Sequence, residues 1–182
     1  MTNNKVIIIT GSKGEGKTTK LQSLIKLLLK KNIPITGFIA PASFVDGERN
    51  TYNLKGIGSE ETITLCSSIS QIGYEKIGSF YFNNPAIILG NQILKSASRN
   101  NKIIVIDEIG PFELKGKVWY NSMLSAMKQD GKVIIITVRE ILVEEIVVKF
   151  NIDNYSVFST NDDNQDIINE IDTFLINEIN SI

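Results

Sequence analysis

Val6-Ile7-Ile8-Ile9-Thr10-Gly11-Ser12-Lys13-Gly14-Glu15-Gly16-Lys17-Thr18-Thr19 runs from a β-branched apolar stretch into a glycine-rich turn that ends on lysine and hydroxyls. Gly11 to Thr18 fit the pattern G-x-x-x-x-G-K-[ST], with a predicted strand before it and a predicted helix after it, which is the setting a phosphate-binding loop requires. Gly11, Gly14 and Gly16 let the backbone turn without Cβ clashes, so that successive N–H groups face a phosphate. The helix start adds its uncompensated donors. Ser12, Lys13 and Glu15 complete the loop, and all nine residues from Gly11 to Thr19 are candidate nucleotide contacts. Lys17 is expected to bridge the β- and γ-phosphates and the Thr18 hydroxyl to ligate Mg²⁺. Thr19 either joins them or finishes the first helical turn.

Outward from this loop the chain alternates strand and helix. Lys102 to Ile106 and Lys132 to Thr137 are further continuous apolar runs, as expected of strands buried on both faces of a mostly parallel sheet. Leu21, Leu24, Ile25 and Leu28 repeat at helical spacing, and Asn32-Ile33-Pro34 ends that helix before a strand over Ile35 to Ala40. Residues 41–79 differ in texture. Asp46-Gly47 is a hairpin turn signal, and scattered glycines separate short β-like runs, so a β-hairpin insertion beside the main sheet is expected. Pro85 starts a helix to about Ser98 in which Gly90 is unfavourable. Tyr120, Met123, Leu124 and Met127 place another helix near Lys117 to Gln129, with its Met and Leu stripe read as core. A helix over Ile141 to Lys149, a strand through Tyr155 to Phe158 and a closing helix from about Gln165 to Ile176 complete an α/β order. Residues 1–182 are expected to form one domain.

The run Lys102-Ile103-Ile104-Val105-Ile106 ends in Asp107-Glu108. Parallel sheets present ligands at the carboxyl ends of their strands, so these carboxylates and the phosphate loop meet at one edge. Asp107 is assigned to Mg²⁺ through coordinated water, and Glu108 to positioning the attacking water. A carboxylate aimed at the γ-phosphate suits hydrolysis; a kinase has to exclude water. Glu113, beyond the Gly110-Pro111 turn, is divided between a site role and a charge at a helix start. Thr137 is a candidate sensor of the γ-phosphate or its water. Arg139 is a candidate for neutralising transition-state charge, with a rim salt bridge as the alternative.

Composition narrows the chemistry. The chain has 182 residues with 19 Lys+Arg against 20 Asp+Glu, and so no whole-chain basic field for nucleic acid or anionic lipid. It has no histidine, which excludes imidazole acid–base chemistry and His-based zinc sites. A lone cysteine, Cys66, fits a reducing compartment. Val6 to Ile9 is too short an apolar run for a signal-peptide core or a membrane span, so a cytoplasmic location is expected. No N-K-x-D element is present to select guanine.

Taken in order, the GxxGxGKTT loop, the I-T-G-F strand with its glycine-bearing hairpin, I-D-E-I-G-P-F-E-L and the late V-F-S-T strand resemble the THEP1-type nucleoside triphosphatases. That resemblance spans nearly the whole chain. It implies a three-layer P-loop fold with a RecA-like sheet. It also implies Mg²⁺-dependent hydrolysis of ATP, GTP and other nucleoside triphosphates with loose base selectivity, and carries roles onto Lys17, Thr18, Asp107 and Glu108. Where such proteins usually place an Arg after the G-F strand, this chain has Pro41-Ala42-Ser43-Phe44, with Arg49 the nearest candidate. The expected partner is a small-molecule nucleotide, with no nucleic acid and no membrane; a monomer is compatible with the sequence. Two alternatives stay open: a nucleotide, nucleoside or other small-molecule kinase, and a slow nucleotide-dependent switch or assembly protein.

Overall fold

Alternation along the strands dictates the layers. In β1 (Lys5–Gly11), Val6 and Ile8 belong to one buried cluster and Ile7 and Ile9 to another, on opposite faces of the sheet. The same division holds in β8 (Ile103–Ile109) and β9 (Val133–Arg139). Strands buried on both faces need cover on both sides. In the computed structural model, which describes residues 3–45, 48–97 and 100–180, helices supply it. α1 (Lys17–Lys30) and α6 (Asn164–Asn180) cover one face through Leu21, Leu24, Leu28, Ile167 and Ile171. α2 (Asn84–Lys95), α4 (Tyr120–Met127) and α5 (Val143–Phe150) cover the other through Leu94, Met123, Ile146 and Phe150. Met123 is fully buried, and the Met and Leu stripe packs in the core as expected.

Five strands are parallel, in the order β10-β1-β9-β8-β2, where β2 is Ile35–Ile39 and β10 is Tyr155–Ser159. The strand that leads into the phosphate loop is therefore not beside the strand that carries the acidic pair. β9 lies between them, in register with both at Ile134, Ile135 and Ile136.

The insertion joins the main sheet edge-on instead of lying beside it. β4 (Glu48–Gly56) pairs antiparallel with β2 through Phe38↔Gly56 and Ile39↔Lys55. β3 (Ala42–Val45), β5 (Thr62–Ser67), β6 (Glu75–Ile77) and β7 (Phe80–Phe82) continue outward from β4 with antiparallel pairing. One sheet thus contains ten strands among the described residues, and its β-rich extension runs three residues past Ser79. Asp46 and Gly47, expected to turn the first hairpin, lie outside the described residues, as does Ser98.

Two helix positions differ from expectation. The segment after β8 forms a short turn of helix, α3 (Pro111–Leu114), and α4 begins only at Tyr120. Gly116 and Val118 take positive φ, 73° and 52°, which breaks the path between the two. Gly90 sits inside α2 because there is no room for anything larger: a Cβ there would lie 2.6 Å from two ring atoms of Trp119. After β9 a 3-10 turn, Glu140–Leu142, precedes α5.

Candidate active site

The phosphate loop connects β1 to α1. Gly14 and Gly16 take φ of 86° and 95°, a region in which a side chain is strained. Lys17, the first residue of α1, is buried, and its ammonium donates to the carbonyls of Gly11 and Ser12 at 3.2 and 3.0 Å. Glu15 turns back on the loop and accepts the Ser12 N–H at 2.5 Å. A Cβ on Gly11 would come within 2.8 Å of that carboxylate. Gly11, Ser12 and Glu15 frame the loop and stand outside its cavity wall. Lys13, Gly14, Gly16, Lys17, Thr18 and Thr19 do line the cavity, which has a volume of about 270 Å³.

The opposite wall comes from the ends of the parallel strands. The register between β8 and β9 shifts by one residue between Ile106 and Ile109, and this bulge lies at the acidic pair. Asp107 is turned inward and buried: one oxygen accepts the Ala40 N–H at 2.9 Å and the other accepts the Thr137 hydroxyl. Thr137 is itself completely buried, with no place in the cavity wall. Its hydroxyl fixes the Asp107 carboxylate, so Thr137 stands behind the cavity wall and not in it. Glu108 lines the cavity, and its Oε1 accepts from Arg139 Nε at 3.1 Å. Both side chains of this pair are about one-third exposed, 33% and 35%, so its net contribution to stability is roughly 0–1 kcal/mol.

Glu113 stands at the start of α3 and is 2% exposed. Its carboxylate accepts from the backbone N–H of Gly110 at 2.8 Å and of Trp119 at 3.3 Å. Burial raises its pKa to about 7; the N–H donors of Gly110 and Trp119 act in the opposite direction, and the nearby charge of Glu108 adds to the rise. The helix-start role is met by the Gly110 contact. Glu113 also lines a second, smaller cavity that shares Ala40, Tyr52, Glu108 and Arg139 with the first.

A strand, a glycine loop and a lysine-headed helix facing two carboxylates across one intervening strand make the architecture of a P-loop protein with a RecA-like sheet. A family model described as NTPase matches residues 6–171, which runs from β1 into α6. The chain belongs to the THEP1-type NTPase family. The nucleoside-triphosphatase THEP1 of Sulfolobus acidocaldarius is 30% identical to this NTPase over 146 residues, covering 78% of this chain and 81% of that one. The crystal structure of THEP1 from Aquifex aeolicus superposes with a TM-score of 0.65 at 25% identity, over 91% of this chain and 95% of the other. The solution structure of a human cancer-related nucleoside triphosphatase shares the fold, with a TM-score of 0.69 at 22% identity and coverage of 93% and 96%.

Several cavity residues of this NTPase carry no readable signal in the sequence. Tyr52 reaches the site from β4, Ala40 and Pro41 from the link after β2, and Ala42 from the start of β3. Only the sheet extension brings them there. Gln22 does carry a signal, since it lies one helical turn past Thr18 on the same face of α1. Among the described residues no helix is long and apolar enough to cross a membrane.

Proposed function

We propose that this NTPase hydrolyses ATP, GTP and other nucleoside triphosphates to the diphosphate and phosphate, with Mg²⁺. The observation that carries the reading is the convergence of Lys17 and Thr18 with Asp107 and Glu108 on one cavity. Mg²⁺ is bound through one or two carboxylates or hydroxyls together with water and substrate phosphates. Thr18, in the cavity wall, would ligate the ion, and Asp107, held rigid by Ala40 and Thr137, would reach it through coordinated water. When bound, the ion neutralises charge on the β- and γ-phosphates.

The protein's own residues do the rest. The loop backbone and the start of α1 hold the phosphate chain, and Lys17 swings from the Gly11 and Ser12 carbonyls to the β- and γ-oxygens. Glu108 accepts a hydrogen bond from water and aligns it for attack on the γ-phosphorus, while the bond to the β-phosphate oxygen breaks. Arg139 restrains Glu108 through their ion pair and neutralises charge developing on the γ-phosphate. The curated relative's description as a nucleoside triphosphatase supports a substrate class defined by its phosphates. We place the enzyme in the cytoplasm, acting on free nucleotide and not on nucleic acid, in keeping with its near-balanced charge. The continuous sheet supports treating residues 1–182 as one domain.

Phosphate release from ATP, GTP, CTP and UTP tests the reading. Several of the four should be hydrolysed with Mg²⁺, and Glu108→Gln should cut release on the order of 10²-fold with nucleotide binding retained. Tight binding without release, or release indifferent to the substitution, overturns it.

A further inference from the structure

The second cavity meets the first at Ala40, Tyr52, Glu108 and Arg139 and lies between the sheet extension and the start of α4. Its volume is about 100 Å³. A closed apolar cavity of about 150 Å³ holds one benzene molecule; this one has about two-thirds of that space but is open at its mouth, so a single ring enters with one edge left in the opening. Its body is built from Phe80, Phe82, Phe112 and Trp119 with Leu65 and Cys66. The rings are fixed by neighbours: Phe82 meets Phe112 edge-on at 5.1 Å, Phe80 meets Tyr52 edge-on at 5.7 Å, and Trp119 packs on Phe38 at 4.6 Å. Edges and faces are thus presented in the arrangement that an inserted aromatic ring favours.

Polarity restricts the occupant further. Burial pushes the Cys66 thiol up to about 12, so it stays neutral. Glu113 has both carboxylate oxygens on backbone N–H groups. The remaining charges, Glu108 and Arg139, stand where the two cavities meet and are paired with each other. A carboxylate or ammonium ligand would lose its hydration with no counter-ion. A hydroxyl, by contrast, can donate to the carboxylate of Glu108 or Glu113.

We propose that this cavity is a second small-molecule site, which takes a neutral compound bearing one aromatic ring and a hydroxyl group and, when filled, slows hydrolysis by holding Glu108 away from water. The effect on hydrolysis rests on the role proposed above for Glu108; the binding does not.

Trp119 is the only tryptophan, so its indole N–H gives a single resonance in a ¹H–¹⁵N spectrum. Titration with phenol should shift it saturably, with half-saturation of about 1–10 mM as befits so small a ligand. Cyclohexanol and benzoate should bind at least tenfold more weakly. Cys66→Leu fills the cavity and should abolish the shift with basal phosphate release unchanged. Phe80→Ala, at a partly exposed position, should weaken binding tenfold. Glu108→Gln should keep the shift, which separates the site from the fate of the hydrolytic reading. In the wild-type enzyme saturating phenol should lower phosphate release at least threefold, and in Cys66→Leu not at all. No saturable shift, equal binding by cyclohexanol, or undiminished binding in both Cys66→Leu and Phe80→Ala overturns the site. A shift with unaltered phosphate release overturns its control of hydrolysis.

Discussion

Glu113 shows how one residue links the site to the stability of the molecule. Its pKa is raised from 4.5 to about 7 by burial, so between these values the folded protein holds a proton that the unfolded chain has released. Stability from this group is fully present below pH 4.5, falls as pH rises, and levels off above about 7, a total of about 3 kcal/mol from the shift. Urea midpoints measured from pH 4.5 to 8 should show that decline, and Glu113→Gln should flatten it. At this scale the sequence was legible wherever chemistry sits in a local pattern. Lys17 and Thr18 are marked by the loop, and Asp107 and Glu108 by the strand before them. Thr137 was marked by its place at the end of β9, but its partner was not: the hydroxyl donates to Asp107, which lies at a bulge in the neighbouring strand that no spacing along β9 announces.

Elements were legible where burial on both faces wrote a continuous apolar run, as in β1, β8 and β9. They were less so where tertiary packing overrode local preference. Gly90 argues against a helix by propensity, yet α2 runs through it because Trp119 occupies the space that a side chain would need. Gly90→Ala should therefore destabilise the protein by about 1–3 kcal/mol through overpacking, although alanine is the better helix former by about 1 kcal/mol. The check is a lower urea midpoint with an unchanged m-value. The short α3 and late α4 have a similar origin. Periodicity from Tyr120 to Met127 gave the face, whereas the start depends on the positive φ of Gly116 and Val118 and on the Glu113 carboxylate holding the Trp119 N–H.

For the whole molecule, the order of strands could not be read from the chain, because nothing in β9 itself says that it separates β1 from β8. Ligand linkage reports on the assembled site. ATP with Mg²⁺ at a hundredfold excess over Kd should stabilise the protein by about 2.7 kcal/mol, a rise in Tm of about 5–10 °C for a domain of this size. Lys17→Ala should abolish the rise, and chelation of the metal should reduce it. The interposed strand also acts as a ruler. Adjacent strands in a sheet lie about 4.8 Å apart, so β1 and β8 are held about 9.5 Å apart where they share the ladder through β9. That gauge is cut into main-chain hydrogen bonds, and substitutions at the rim can change what fills the gap but not its width.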